Sequence, residues 1–489
     1  MGAGPSKRAF HVAGQSAKRA FWVVSTRQQK DGQRGSLAGP GWFRRSRACL
    51  LGVFFLCSSV SAGARAAEHL TLAQVLELAE QNYPKIAQAA ARLKKKEAQL
   101  AEARRVSFGQ FEASAFAAIM PAWKGTAVFS PSTDVALSSE SSLAYQVAVE
   151  GVVPLWTFGK LTNLWDAARA NVELGKGELL QERSVIRREA RRAFYGVQLS
   201  RDALILVGEA RSRVTEYVER LERDLEQGRG DELDLLQLKV QRAELEARGS
   251  EAERSEQIAL SALRFYTGRT GGIDIVDEPL VRVSHELGPA ARYLEAARLH
   301  RPEVNMVRAG LRAREAQVKM EKARYLPDLG LGLSARFSQA PGVTSQPNPF
   351  TYDPLNTPIV GAGLVLRWKL DFLQQGARVA QASADLEEMR AMERYALGGI
   401  AVEVEKAYYE AKDAERRLLA WGEAAKYAKQ WLIKVQQGLD LGLTEDSDLV
   451  EPSKEYALKR FSEMSAILDY NLAVADLARA TGWEAILAQ

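Results

Sequence analysis

Apolar residues recur along this chain in two different periods. Leu143, Tyr145, Val147, Val149 and Val153 share one face of a segment whose other face holds Ala144, Gln146, Ala148 and Glu150. A period of two predicts a β-strand with one apolar side. The pattern returns twice. Leu329, Leu331, Leu333, Ala335 and Phe337 alternate with Gly330, Gly332, Ser334 and Arg336, and Val360, Ala362, Leu364, Leu366 and Trp368 alternate with Gly361, Gly363, Val365, Arg367 and Lys369. A weaker alternation predicts a fourth strand near Phe111–Met120. Elsewhere the spacing becomes three and four, as at Leu179, Val185, Ala193, Tyr195 and Leu199, which predicts helices packed side by side. No proline falls between Pro154 and Pro279 or between Pro358 and Pro452. An interior proline costs a helix about 3 kcal/mol, so these intervals are where long helices fit. One helix from Phe158 to Gln227 would span roughly 105 Å at ~1.5 Å per residue.

The pattern is stated twice. Leu78-Ala79-Glu80-Gln81-Asn82-Tyr83-Pro84 opens one copy and Ala297-Arg298-Leu299-His300-Arg301-Pro302 the other. Glu97-Ala98-Gln99-Leu100 corresponds to Glu315-Ala316-Gln317-Val318. Further on, an offset of 214 relates Ala193-Phe194-Tyr195 to Ala407-Tyr408-Tyr409, Gly228 to Gly442, Asp234 to Asp448 and Thr267-Gly268 to Thr481-Gly482. The expected organisation is a leader over residues 1–66, a first repeat over 67–275, a linker over 276–289 and a second repeat over 290–489. Each repeat reads helix, strand pair, very long helix, turn, return helix.

Each predicted strand has about ten residues, close to the 9–11 that a tilted strand needs to cross a bilayer. An apolar face opposite a small or charged one fits a barrel wall between lipid and water; a soluble two-sided sheet alternates equally well. Four strands cannot enclose water, so a barrel requires several copies of the chain. The Ser-, Pro- and Gly-rich links near Ala122–Ser142 and Gln339–Thr357 read as exposed loops. Their aromatics Trp123, Phe129, Phe350 and Tyr352 fit lipid headgroups or packed loop tips, whereas Trp156 and Trp368 are better placed for an aromatic girdle.

Charge and cysteine usage add the compartment. Residues 1–66 contain 11 of the 66 basic side chains and a single acid, Asp31, so the remainder carries 55 basic against 60 acidic residues. That mildly acidic remainder offers no electrostatic case for nucleic acid. Arg44, Arg45 and Arg47 precede the apolar run Ala48–Val60 and the small residues ending Ala64-Arg65-Ala66, which is the layout of an export signal cleaved after Ala66, or secondarily after Ala62. About thirteen apolar residues fall short of the roughly twenty of a spanning helix. Both cysteines, Cys49 and Cys57, lie inside this leader, leaving none to mispair in an oxidising periplasm. The histidines beyond it, His69, His285 and His300, lack metal-site or triad spacing, and no Gly-rich phosphate loop occurs. An enzyme or a cofactor protein is not expected.

Together these features resemble the TolC family of outer membrane efflux proteins over essentially all of residues 68–489. The resemblance rests on Val153-Pro154-Leu155-Trp156 leading through Gly159 into the long helix, on Arg324-Tyr325-Leu326-Pro327, and on two tips, Gly228-Arg229-Gly230-Asp231-Glu232-Leu233-Asp234-Leu235-Leu236 and Gly442-Leu443-Thr444-Glu445-Asp446-Ser447-Asp448-Leu449-Val450. It implies a mixed α+β membrane protein in the outer membrane. Four strands per chain would join a homotrimeric 12-stranded barrel, continued by a coiled-coil periplasmic tunnel. The partners implied are outer-membrane lipid, a periplasmic adaptor and an inner-membrane transporter. The adaptor would dock at Gly228, Arg229, Asp231, Leu235, Gly442, Glu445 and Leu449. Asp448 and Glu451, with Asp234 in the first copy, would line a cation-binding constriction; as an alternative, Asp448 and Asp234 are helix N-caps. Where a well-studied member has Arg and Tyr near the tip glycine, this chain has Thr444 and Leu439, so its closed-state lock is built differently, with Arg229 a candidate. The competing functions are a periplasmic adaptor, which also uses helical hairpins, and a structural envelope-spanning rod.

Overall fold

The computed structural model describes residues 68–124, 136–228, 231–269, 271–342, 356–444 and 446–484. The leader, Phe129, Arg229, Phe350, Tyr352 and Glu445 lie outside these ranges, as does the side chain of Trp123.

The first copy runs β1 (Glu68–Leu70), α1 (Leu72–Asn82), α2 (Pro84–Arg105), β2 (Gln110–Lys124), β3 (Ala136–Trp156), α3 (Lys160–Glu226) and α4 (Glu232–Thr267), and β4 (Ile273–Ile275) follows. The second runs α5 (Ala290–His300), α6 (Pro302–Ala323), β5 (Asp328–Gln339), β6 (Ile359–Arg367), α7 (Phe372–Asp440) and α8 (Val450–Thr481). Local chemistry sets the breaks. The residue before a proline is pushed to an extended conformation, so Tyr83 (ψ 124°) and Arg301 (ψ 123°) each end one helix and present proline at the first position of the next. The proline-free intervals do hold the long helices, 67 residues in α3 and 69 in α7, about 100 Å each.

Each long helix carries two shorter ones along its flank, α2 and α4 on α3, α6 and α8 on α7, and α3 packs in addition against α6 and α8. Two apolar cores form at mid-length. One joins Leu70, Val75, Ile186, Phe194, Val197, Leu263 and Ile275; the other joins Tyr293, Val404, Tyr408, Ala411, Tyr470 and Leu477. The extended linker 276–289 crosses between them, and its backbone groups are met by side chains instead of a sheet. Asp202 accepts from Leu280 N (2.9 Å), and Asn471 accepts from Val283 N (2.9 Å) while donating to Val281 O (2.8 Å).

Two expectations need correction. β2 and β3 reach into the Ser-rich stretch read as loop, so that β3 alone has 21 residues, roughly 70 Å of extended chain. Cross-strand pairing, with Ser142 opposite Met120 and Ala136 opposite Lys124, carries the strands past the end of apolar alternation. The short parallel pair β1–β4 was also unforeseen, because three-residue strands are too brief to show a period. No described helix is long and apolar enough to cross a membrane.

Candidate channel wall and tip

The two strand pairs form one antiparallel sheet in the order β2-β3-β5-β6. Residues directly opposite share a face, so register decides what each face is made of. Phe111 faces Gly151, Ala113 faces Val149, and Ala115, Val147 and Phe337 lie in one row; Leu331 faces both Val153 and Leu364. Every position named is apolar. Across the sheet, Glu112 faces Glu150, Gln146 faces Ser338, and Gly332 faces Gly363. Glu150 pairs with Arg336 at 3.2 Å on this polar face. A register shift between Pro154 and Trp156 sets Trp156 opposite Leu329, which returns it to the apolar face where uninterrupted alternation would have put it on the polar one. Much of the apolar face is bare: Ile119 is 77%, Val360 85% and Leu364 74% exposed. Among the described residues of one chain β2 and β6 are open edges.

Below the sheet, strands pass into helices through very short links. Phe158 (φ 51°) and Gly159 (φ 90°) both adopt left-handed backbone, which turns β3 sharply into α3. For a phenylalanine that conformation costs on the order of 1–2 kcal/mol. Lys160 then crosses to the third strand, donating to Leu326 O (2.8 Å) and pairing with Asp328 (2.8 Å). On the other side, Trp368 donates to Tyr325 O (3.0 Å), and Phe372 stacks on Tyr325.

At the far ends of the long helices are the tips. Gly442 (φ 69°) donates to Leu439 O (2.9 Å) and Leu443 N donates to Gly438 O (2.8 Å), the paired bonds of a Schellman stop. Gly228 (φ 73°) stops α3 with the equivalent bond to Leu225 O (2.9 Å). A side chain at either glycine would force an L-residue into the left-handed region. Beyond the stops the copies diverge. α4 starts from Asp231, whose carboxylate accepts from Leu233 N at 2.8 Å. α8 starts from a 3-10 turn, Asp446–Leu449, with Leu449 at its cap position and no side-chain cap bond.

Neither Asp448 nor Asp234 stands at the N-cap position of its helix. Asp448 lies within the 3-10 turn, and Asp234 is the third residue of α4, with Asp231 capping. Asp448 and Glu451 are both exposed and flank Leu449, which is 2% exposed; Asp234 is half-buried. Leu235 packs with Val450 against a small core of Val214, Val218 and Leu238, which ties the start of α8 to the first hairpin. Of the residues expected to dock a partner, Leu235 and Leu449 thus point into the tip, whereas Gly228, Asp231 and Gly442 are exposed. Thr444 donates back to Val435 O (3.2 Å), which holds the link against the last turns of α7. A cavity of about 250 Å³ opens between α3, α4 and α8, lined by Leu206, Tyr217, Leu245, Leu458 and Phe461. Sequence reasoning missed it, since it forms between helices remote in the chain.

Among the described residues no group of three or more His, Cys, Asp or Glu is placed to hold a metal ion within one chain. His285 is buried, with Nε2 2.8 Å from the Tyr293 hydroxyl. Burial, with Arg292 nearby, holds its pKa below the usual imidazole value, so it packs as a neutral core group.

The fold has solved counterparts. The outer-membrane channel OprN aligns with TM-score 0.68 at 17% identity, covering 84% of this chain and 89% of that one. VceC of Vibrio cholerae aligns with TM-score 0.66 at 18% identity, covering 84% and 96%. The MtrE channel of Neisseria gonorrhoeae, solved in an open state, aligns with TM-score 0.67 at 15% identity, covering 84% and 88%. No curated protein matches by sequence. The outer membrane efflux protein family matches twice, over residues 75–269 and 293–483, once for each copy of the repeat. With a two-faced strand sheet set on paired helical hairpins and family matches across most of its length, this chain belongs to the outer membrane efflux protein family, as an exit duct for efflux.

Proposed function

We propose that three copies close their sheets into one twelve-stranded barrel in the outer membrane, that the helices prolong it into the periplasm, and that the tips engage an adaptor coupled to an inner-membrane transporter. The observation that carries this is the sheet itself: a bare apolar face, a charged face, and two open edges in one chain. Unpaired edges and exposed apolar area of this extent are unstable in water, and closure among copies surrounded by lipid removes both. The helices support the same assembly. On α7, Tyr395, Val402 and Tyr409 are exposed at heptad spacing, and on α4 Leu233, Leu236 and Val240 form a second bare stripe. These stripes seam one copy to the next.

At the tip, threefold symmetry brings six carboxylates from Asp448 and Glu451 around the axis, with Asp234 behind them, as a constriction. Gly228, Asp231 and Gly442, with Arg229 and Glu445, form the adaptor surface, and Leu235 and Leu449 brace it from beneath. Native mass spectrometry in mild detergent tests the assembly, with a trimeric mass expected and a monomer counting against it. Planar-bilayer recording tests the constriction. Asp448→Asn with Glu451→Gln should leave a conducting trimer that multivalent cations block more weakly from the tip side, since the field of six charges is gone. Undiminished block would remove Asp448 and Glu451 from the constriction.

A further inference from the structure

The links between strands and helices have a charge balance unlike the rest of the chain. Residues 104–109, 155–160, 322–328 and 367–371 together hold seven basic side chains and two acids, Asp328 and Asp371. Residues 67–489, by contrast, carry fewer bases than acids. Lys160 is held by Asp328, and Arg324 pairs with Glu321 at 3.1 Å. Arg104, Arg105, Lys322 and Lys369 are exposed and form no ion pair among the described residues, while Arg367, opposite Asp328 in the sheet register, belongs to the polar face. Interleaved with them are bare aromatics: Phe108 is 77%, Trp156 62% and Trp368 51% exposed, and Phe158 sits edge-on to Trp156.

Helix dipoles explain part of this. Arg104, Arg105 and Lys322 lie in the last turns of α2 and α6, where a cation is favoured. They do not explain Lys369, which lies three residues ahead of the start of α7. A cation there opposes the positive end of the helix. An anion supplied from outside the chain accounts for both sets. Bare rings and leucines between the charges, Leu370 at 67% exposure among them, require that this anion be attached to something apolar.

We infer that the strand-to-helix junction is a binding surface for anionic phospholipid, its basic residues taking the headgroup phosphates and its aromatics the glycerol and upper acyl region. This rests on the proposed barrel, in which the junction lies at the periplasm-facing leaflet. Headgroup attraction is worth on the order of fivefold in affinity per basic residue near the surface.

The test uses the full assembly in mild detergent, incubated separately with phosphatidylglycerol and phosphatidylethanolamine, and retained lipid is counted by native mass spectrometry. Preferential retention of phosphatidylglycerol is expected. Arg104→Gln, Arg105→Gln, Lys322→Gln and Lys369→Gln combined should bring it down to the phosphatidylethanolamine level, and Arg104→Lys with Arg105→Lys should preserve it. Should the fourfold variant not assemble, Lys322→Gln with Lys369→Gln alone, both at exposed positions, should lower retention by an order of magnitude. Equal retention of the two lipids, unchanged retention in the Gln variants, or preferential capture of inorganic polyphosphate overturns the inference. Trimer mass and conductance on the same samples report separately on the barrel: a conducting trimer without lipid preference sinks only the lipid surface.

Discussion

The two copies of the repeat bend at the same place and fill the bend with opposite chemistry. In the first, Tyr83 ends α1, its ring edge-on to Phe265 at 5.7 Å and to Tyr266 at 5.9 Å. In the second, the residue before the proline is Arg301, and the counterpart of Phe265, 214 positions on, is Arg479. Both guanidiniums converge on Glu403, Arg479 at 2.9 Å and Arg301 closer, while Arg301 also donates to Ala480 O at 3.1 Å. The backbone frame is shared. A side chain added at Gly268 would come within 2.8 Å of Asn82, and one at Gly482 within 2.7 Å of His300 O. Proline, glycine and apolar spacing therefore set the geometry, and the filling is free to be aromatic or ionic provided every buried polar group is met.

The difference becomes measurable when each filling is removed. Arg301→Ala is expected to have the largest effect, about 2–3 kcal/mol lost, because it leaves Glu403 to Arg479 alone and removes the partner of the Ala480 carbonyl at a site where Arg301 is 5% exposed. Denaturant unfolding of the assembled protein reads it. A pH dependence goes with it. Burial alone would raise the Glu403 pKa, but Arg301, then Arg479, outweigh it and hold the carboxyl below its usual 4.5. A depressed carboxylate stabilises the fold fully above that usual value and loses its contribution as pH falls through the lower folded value. Arg301→Met should flatten this acid arm of a melting-temperature profile; an unaltered arm would mean that the triad does not couple to folding. Next in size is Tyr83→Ala, about 2 kcal/mol from lost packing of a partly buried ring. Since Phe265 does not titrate and burial pushes Tyr266 above the usual tyrosine value, the loss should be the same at acid and neutral pH, and a loss that grows with acidity would collapse the contrast.

Smaller effects distinguish the tips. Gly442→Ala and Gly228→Ala should each cost about 1–2 kcal/mol, equal within error because both residues are left-handed with open space around the added methyl. Unequal thermal shifts would reveal a packing difference beyond backbone strain. Asp231→Ala should cost about 1 kcal/mol by removing a cap bond, detectable as faster hydrogen exchange at Leu233. The second tip lacks that device, so Leu449→Ala should act through lost burial in place of a lost cap.

Much of this architecture was legible in one dimension, for identifiable reasons. Proline spacing announced α3 and α7, because a proline's missing donor and fixed φ act wherever the chain goes. Period-two alternation announced four strands and their two faces, since alternate side chains must point apart. The 214-residue offset announced the duplication, and Gly228 and Gly442 the turns that end the long helices. The tip carboxylates could be picked out, but which of them cap helices could not. Asp231, Asp234 and Asp448 are alike as sequence signals, and the point where each helix begins separates them by one turn.

What remained for the tertiary structure to decide is best seen in Tyr195 and Tyr409. They occupy the same position in matching helices, yet Tyr195 is 8% exposed and Tyr409 62%. α3 packs against five other helices, α1, α2, α4, α6 and α8, whereas α7 packs mainly against α5, α6 and α8, and Tyr409 is left bare. Sequence by itself determined that each helix would have an apolar stripe, because the stripe follows from local spacing. Which stripe is covered within the chain and which is left bare depends on where the helix sits among the others, and that order is set by long-range packing no local period encodes.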